Sequence, residues 1–297
     1  TPSSSLVDRV DYSNDTATAS PKGPLSQGRE GLSACSSRAN AIPLKGPGNL
    51  EVPVLMGAFS VPGPNSVPIG TDFAYFGGGD QSPPYSSTVE RVDYSNDTAT
   101  AAVKGPLSLS RGALSATGNQ SFGYFGAGVK TGNINGGTNV TTVDRIDYSN
   151  DTATAVAKGP LTVARDRLGA TGNASFGYFG GTGPSSSAIS TVDRIDYSND
   201  TATAVTKGPF SVTRYGLAAT GNTSFGYFGS GGPGTNLSSV DRVDYSNDTA
   251  TASPKGPLTG GRFALAATGN TDFGYFGGGA PSSSTVDRVD YSNDTAT

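Results

Sequence analysis

Short apolar runs, each about five to ten residues long, recur along the chain between Gly, Asn, Asp, Pro and Ser residues. After Arg165 these runs are LGATG at 168–172, SFGYFGG at 175–181, TVDRIDYS at 191–198 and TATAVTKGPF at 201–210. They are rich in Val, Ile, Thr, Tyr and Phe, which is typical of β-strands. No window places apolar residues at the 3.6-residue spacing of an amphipathic helix. The pattern therefore predicts an all-β protein made of four-stranded units.

The unit is repeated, and its most constant part is the octapeptide DYSNDTAT. Four of the five intervals between successive copies are about 50 residues, a period typical of propeller blades or solenoid coils. Four antiparallel strands per unit favour a β-propeller. In such a ring each blade packs only on its neighbours, so every copy of a core position meets the same residues. The copies begin at Asp11, Asp93, Asp147, Asp196, Asp244 and Asp290.

The unit resembles a kelch repeat. In that repeat one strand ends in a double glycine, a later strand ends near Tyr-Asp, and an arginine precedes the next blade. Here these features are FGYFGG at 176–181, IDY at 195–197 and Arg214. The kelch tryptophan is absent, and the small residues of TATA stand in its region, so we expect thinner contacts between blades there. The matching arginines elsewhere are Arg29, Arg111, Arg165 and Arg262.

A second resemblance concerns the wording VDRIDYSNDTATA, KGPL and LAATGNxSFGYFGGG. It is similar to tandem repeats in structural proteins of marine cyanobacterial phages, of the tail-fibre or virion-appendage type. The resemblance covers nearly the whole chain apart from residues 36–72. It implies a virion or extracellular location and a structural or adhesive function.

Strands A (LAATG), B (FGYFGGG), C (VDRVDY) and D (TATAxxKGPL) predict one kelch-like domain over residues 1–297. We expect five four-stranded blades, closed by the N- and C-terminal strands. The last blade takes A and B from 264–279, and its outer strands from the N-terminus or partly from 285–297. A spare strand C then remains, to pair with a neighbouring molecule or to continue the array. Complete sets begin near Gly31, Ala113, Leu168, Leu217 and Leu265.

Residues 36–72 do not fit the period. They are rich in Pro and Gly, with an apolar centre at Val52–Met56. One interpretation is a long insertion between strands A and B of the first blade. The alternative is a degenerate sixth blade, because PLKGP echoes the usual KGPL.

The composition limits the classes of partner that we expect the protein to bind. The net charge is -4 with a pI of about 4.8, whereas nucleic-acid binding needs clustered Lys and Arg, so we expect no nucleic-acid partner. No run of 18 apolar residues is present, so we expect no membrane insertion. The chain starts at Thr1 without a visible signal peptide. Cys35 is the single cysteine, so no intramolecular disulfide forms.

The sequence offers few residues that could carry out catalysis. The chain has no histidine, which excludes Ser-His-Asp catalysis and histidine-ligated copper or zinc. Paired carboxylates would still permit glycoside hydrolysis. However, Asp144 and Asp147 recur in every blade, and a site needed once is rarely copied. We therefore expect no enzyme and no cofactor, with a carboxylate-based carbohydrate-active enzyme as an alternative.

The repeated DYSND segment has three interpretations. Asp and Asn favour turns, so it links strands C and D. Asp147, Ser149 and Asp151 also match the spacing of oxygen ligands in calcium loops, without the glycine and distant Glu of an EF-hand. We further expect Asp144 and Arg145 to pair within or between blades, and the lysines of KGP to be solvated strand ends. Finally, NDT is a glycosylation sequon at Asn14, Asn96, Asn150, Asn199, Asn247 and Asn293.

The segments between strands B and C vary in length and content while their flanks do not. Variable loops on a rigid scaffold are where recognition usually occurs. In an antiparallel blade these B–C loops emerge at the same end as the D–A links. We therefore predict a non-enzymatic adhesive module that binds cell-surface glycan, virion or fibre proteins, or copies of itself; the alternative is a filament-forming matrix protein. The candidate binding residues are Tyr85, Lys130, Asn133, Asn135, Tyr215 and Asn236.

Overall fold

The structure is a computed structural model, and it describes residues 4–36, 73–80, 85–131, 137–182, 187–232 and 235–296. These residues form an all-β protein with five four-stranded antiparallel blades arranged as a β-propeller, as the sequence predicts. The two interpretations of residues 36–72 fall, except for Ser36, outside the described residues. Asn133 and Asn135 also lie outside them.

Every blade contains strands A to D in chain order, with each strand paired to the next. Blade 1 consists of β3 (Ser33–Ser36), β4 (Phe73–Gly77), β5 (Val89–Asp93) and β6 (Ala102–Lys104), after the short strands β1 (Asp8–Arg9) and β2 (Ser20–Pro21). Blade 2 consists of β7 (Ser115–Gly118), β8 (Phe122–Gly126), β9 (Val143–Asp147) and β10 (Val156–Lys158). Blade 3 consists of β11 (Gly169–Gly172), β12 (Phe176–Gly180), β13 (Val192–Asp196) and β14 (Val205–Lys207).

Blade 4 consists of β15 (Ala218–Gly221), β16 (Phe225–Gly229), β17 (Val240–Asp244) and β18 (Ser253–Lys255). Blade 5 consists of β19 (Ala266–Gly269), β20 (Phe273–Gly277), β21 (Val286–Asp290) and β22 (Thr295–Ala296). The last blade therefore takes its outer strands from the C-terminal segment. Of the two alternatives for these strands, the one that takes them from 285–297 is confirmed, and the one that takes them from the N-terminus is wrong.

The core lies between the blades, and strand B builds most of it. Successive side chains of a strand point to opposite faces. Accordingly, Phe122 and Tyr124 of β8 pack with Phe179 of blade 3, whereas Phe125 packs with Tyr75 of blade 1. Burying one such phenylalanine is worth about 1.5–3 kcal/mol, so the repeated FGYFG strands hold neighbouring blades together.

The DYSND segment is a turn, as predicted. Strand β9 ends at Asp147, and Tyr148–Asn150 form a single turn of 3-10 helix. The Asp147 carboxylate accepts hydrogen bonds from the backbone N–H of Ser149 at 2.9 Å and from its hydroxyl at 2.6 Å. The first residues of the predicted strand D belong to this turn and to the segment that follows it. Strand D is therefore only three residues long in blades 1 to 4.

The small residues of TATA bring neighbouring blades together by their backbones. Gly105, at the end of strand D in blade 1, lies directly on the backbone of Ala153 in blade 2. Its N–H donates to the Asp151 carbonyl at 2.8 Å. A Cβ at Gly105 would overlap the Ala153 carbonyl, so close backbone contact replaces the tryptophan of the kelch pattern.

The first two strands close the ring. β1 and β2 pair with each other as a two-stranded sheet, which we call the N-terminal hairpin. Elsewhere, the strand B tyrosine of one blade stacks on the tyrosine that follows strand C of the next blade, as Tyr227 does on Tyr291 at 4.7 Å between ring centroids. Tyr275 of blade 5 stacks in this way on Tyr12 of the N-terminal hairpin, at 5.1 Å.

Candidate functional site

The two ends of the propeller are formed by different segments of each repeat. The D–A links pair with the B–C loops through isolated bridges, such as Gly112 with Val129 and Phe263 with Ala280. We call this end the loop face. As predicted, the B–C loops and the D–A links emerge at the same end. At the other end, the A–B turns meet the DYSND turns, as when the Tyr148 N–H donates to the Ser121 carbonyl at 3.1 Å. We call this end the turn face.

The kelch-type arginines lie near the loop face but are buried. Arg111 donates to the Asp144 carboxylate of its own blade at 2.8 Å and to the Phe125 carbonyl at 2.9 Å. The Arg111 and Asp144 side chains are fully buried. These arginines therefore hold a blade together and present nothing to a ligand. The equivalent pairs are Arg29–Glu90, Arg165–Asp193, Arg214–Asp241 and Arg262–Asp287.

A second set of charges links each blade to the next. Asp200 of blade 3 accepts from Arg145 at 2.7 Å and from the Tyr124 hydroxyl at 2.9 Å, both in blade 2. Lys158 lies 3.2 Å from the same carboxylate. Burial on its own raises the pKa of Asp200, but Tyr124, Lys158 and Arg145 outweigh burial and lower it. The acids in this position are Asp15, Asp97, Asp151, Asp200, Asp248 and Asp294.

The structure decides two predictions about the repeated charges. Asp144 and Arg145 do pair, the first within its blade and the second with the next blade. The lysines of KGP are not solvated strand ends, because each is held by the carboxylate that also binds the arginine. That expectation was wrong because one sequence repeat does not reveal contacts made with the following one.

The residues of the calcium interpretation are engaged by different partners. Asp147 holds Ser149 within the turn. Asp151 is buried and binds Tyr75 and Arg91 of the preceding blade, at 3.0 and 2.8 Å. Within the described part of the chain, no group of three or more Asp, Glu or Cys residues is arranged to hold a metal ion. The six sequon asparagines of DYSND are all exposed on the turn face, and their glycosylation stays a prediction.

The predicted binding residues differ in accessibility. Tyr85 is buried against Gly112 of the next blade, and its hydroxyl has no hydrogen-bond partner among the described residues. Lys130 and Asn236 are exposed, and the Asn236 side chain donates to the Ala280 carbonyl at 3.4 Å. Tyr215 is half-buried. The loop face therefore presents three of the four described candidates.

Backbone hydrogen bonds run around the propeller axis on the loop face. The N–H of each D–A link donates to the carbonyl of the previous link, at 2.7–2.9 Å. The residues involved have left-handed φ values between 51° and 65°. The chain of bonds fixes the links close to the axis. In order, the linked residues are Gly31, Ala113, Arg167, Gly216 and Ala264.

Side chains that differ between repeats gather beside this chain of bonds. Arg167 lies 3.2 Å from the Asp166 carboxylate, and its guanidinium carbon is 6.0 Å from the Tyr215 ring centroid. The Tyr215 and Phe263 rings are 6.2 Å apart. Burial raises the pKa of Asp166, against the effects of Arg167 and Asn139. We call Asp166, Arg167, Tyr215 and Phe263 the axial cluster.

Sequence reasoning identified only Tyr215 of this cluster. A signal for the others exists, because the two residues after each kelch-type arginine differ in every blade. They read EG, GA, DR, YG and FA along the chain. Such variation beside an unvarying arginine indicates that the propeller does not require one particular side chain at these two positions.

No known family model matches the chain, and a search of curated proteins finds no match. The kelch-like architecture is supported by the five blades themselves, and the phage resemblance receives no support from these comparisons. None of the helices in the described ranges is long and apolar enough to cross a membrane.

Proposed function

We propose that the protein is a non-enzymatic binding module of a virion appendage or extracellular fibre, and that it recognises glycan or protein through its loop face. The observation that supports this proposal is that the repeated and the varying polar side chains have different positions. Repeated arginines, lysines and aspartates are used between and within blades. The side chains that vary lie on the loop face and include the axial cluster.

The axial cluster has the chemistry of a recognition site. Tyr215 and Phe263 offer half-buried aromatic rings, which contribute much binding energy at interfaces at little entropic cost. The half-buried Arg167 adds donors for hydroxyl or amide groups, and the buried Asp166 carboxylate holds its guanidinium in place at 3.2 Å. Exposed Lys130 and Asn236 extend the surface outward along the B–C loops.

A glycan array followed by solution binding tests the proposal. For any ligand found, Tyr215→Ala and Arg167→Ala should each weaken binding at least about tenfold, as for hot-spot residues. Val103→Ala is the control, because Val103 is exposed and lies on outer strand D, away from the axis. Binding that persists in both loop-face variants would contradict recognition by this face.

The enzymatic alternative has one carboxyl group in its favour. Glycosidases need a general acid with a raised pKa, and burial raises the pKa of Asp166. A hydrolysis assay on each bound glycan decides the question. Turnover that Asp166→Asn abolishes would establish the enzyme and defeat the non-enzymatic proposal.

The filament alternative is favoured by the N-terminal hairpin. Among the residues that the structure describes, β1 pairs only with β2, which leaves its other edge without a strand. Unpaired edges are templates for strand addition. Light scattering over a dilution series measures this directly, because a closed monomer keeps its size and a filament does not.

A further inference from the structure

The N-terminal hairpin occupies a sixth position in the ring. Arg288 of blade 5 binds Asp15 at 2.9 Å, as Arg242 of blade 4 binds Asp294 of blade 5. On the other side, Arg9 binds Asp97 of blade 1 at 2.7 Å. Each of these pairs spans one blade step, so the space between blades 5 and 1 is one blade wide.

Only the outer half of this sixth position is filled by described residues. β1 and β2 correspond to strands C and D, and no described strand corresponds to A or B. The A strands β3, β7, β11, β15 and β19 pack side by side in this order, but β19 and β3 do not pack on each other in this way. We call the space inside the N-terminal hairpin, between blades 5 and 1, the inner slot.

Blade 5 presents to the inner slot an apolar surface that its counterparts cover. Val286 is 47% exposed, while Val143, Val192 and Val240 are fully buried. Ala264 and Ala266 are also exposed. Gly277 has no ring on it, whereas the equivalent glycine of blade 4 carries a phenylalanine of blade 5.

Blade 1 shows the complementary exposure on its opposite face. Phe76 is only partly buried, whereas its counterpart Phe125 is fully buried. Ala34 is exposed, whereas its counterpart Ala116 is buried. Both counterparts are covered by the B strand and neighbouring residues of the preceding blade, and these are the elements without an equivalent in the inner slot.

Backbone groups at the slot also lack the partners, among the described residues, that their counterparts in other blades have. The chain of axial hydrogen bonds stops with the Gly31 N–H at one end and the Ala264 carbonyl at the other. In a second series, the second residue after strand B donates to the arginine carbonyl of the next blade, as Gly231 does to Arg262 at 2.8 Å. The corresponding Gly279 N–H meets no such carbonyl among the described residues. These groups define the direction and register of an A–B element that the described residues do not supply.

The acidic residue of strand C gives a further indication of what the inner slot would hold. In all five blades the acid at the second position of strand C pairs with a buried arginine that precedes strand A. Asp8 of β1 holds this position in the N-terminal hairpin, and it is exposed. No arginine of the described segments pairs with it. The missing element should therefore bring an arginine ahead of its first strand.

We propose that the inner slot binds a β-hairpin with the A–B sequence of this repeat, supplied by polypeptide outside the described residues. The hairpin's B strand adds to the free edge of β1, its arginine pairs with Asp8, and its aromatic residues cover Gly277 and Val286. Such strand addition completes a sixth blade. Binding of this hairpin does not depend on recognition by the loop face.

A synthetic peptide with the sequence of residues 211–230, SVTRYGLAATGNTSFGYFGS, is a suitable probe. With a fluorescent label and the full chain, it should bind saturably and raise the melting temperature of the protein, because ligands of the native state stabilise it. Val286→Arg should weaken binding at least about tenfold by placing a charge in the slot. Val103→Arg is the matched control at an exposed valine outside the slot.

A double-mutant cycle tests whether the arginine of the peptide pairs with Asp8 of the protein. Changing Arg214→Ala in the peptide should weaken binding to the wild-type protein at least about fivefold, and this loss should disappear in the Asp8→Ala protein. Asp272→Ala, at an exposed aspartate on the turn face, should leave the loss unchanged. Additive effects of the Asp8 and Arg214 changes would overturn the proposed register.

Two other results would overturn the proposal itself. One is a failure of the peptide to bind up to its solubility limit, or equal binding of a scrambled peptide. The other is self-association of the protein that Val286→Arg abolishes while the peptide does not bind, which would assign the slot to the surface of a second folded copy. Glycan binding by the loop face is read separately in the Tyr215→Ala variant, so either proposal can fail alone.

Discussion

The Tyr275 hydroxyl donates a hydrogen bond of 2.8 Å to the Asp15 carboxylate, which lies 260 positions earlier in the chain. Arg288 binds the same carboxylate at 2.9 Å. Asp15 thus clamps the N-terminal hairpin to the last blade with the same contacts that join consecutive blades elsewhere. Ring closure in this protein uses side chains of the repeat and needs no shared strand.

Asp15→Ala should destabilise the protein by about 1–2 kcal/mol, because it leaves Tyr275 and Arg288 without their acceptor. Tyr275 is buried, but the Arg288 and Asp15 side chains are partly exposed, which keeps the expected loss below that of a fully buried pair. Urea unfolding measures the effect. Asp8→Ala, at an exposed aspartate of the same hairpin, should stay within about 0.5 kcal/mol. Equal losses in the two variants would show that the clamp is not important for closure.

Arg165→Met should cost about 3–5 kcal/mol, because it leaves the buried Asp193 carboxylate without a counter-charge. The double variant Arg165→Met/Asp193→Leu removes both charges and should recover most of the loss. Chemical unfolding of the three proteins tests this expectation. A double variant less stable than Arg165→Met would contradict it.

Gly126→Ala should destabilise the interface between blades 2 and 3 by about 1–3 kcal/mol, a typical cost of overpacking. A Cβ at this position would lie 2.6 Å from the Phe179 ring. Gly260→Ala is the matched control, because a Cβ there meets no atom within 4 Å. Thermal unfolding of both variants measures the difference, and equal melting temperatures would refute the role of the glycine.

Acid should weaken the links between blades. Burial raises the pKa of Asp248, but Tyr178, Lys207 and Arg194 outweigh it, so the pKa is lowered. A carboxyl group whose pKa is lower in the folded state stabilises that state above its unfolded pKa, about 3.9, and loses this contribution as the pH falls through the folded value. The urea midpoint should therefore be constant from pH 7 to 5 and fall steeply below pH 4.

The variant Asp248→Asn provides the control for this pH dependence. It should be less stable than wild type at pH 7, because an amide cannot pair with Arg194 and Lys207 as a carboxylate does. It should also lose less stability between pH 5 and pH 3. An identical slope in both proteins would show that the acid sensitivity arises elsewhere.

Strand order, strand class and the two faces of strand B follow from sequence alone. The run FGYFG alternates, so Phe122 and Tyr124 were expected on one face and Phe125 on the other, as the structure shows. The repeated turn at Asp147 was also expected, because it depends on bonds between residues two positions apart. Such features are local, and local patterns record them directly.

The partners of the charges and the position of the N-terminal hairpin were decided only by tertiary structure. Lys158 was expected to be solvated, yet it binds Asp200, which lies in the next repeat. The sequence left open whether the N-terminal strands complete blade 5, and in the structure they form the outer half of a sixth position. The reason is physical: the sequence determines what one blade contains, whereas the angle at which identical blades pack determines how many positions the ring has.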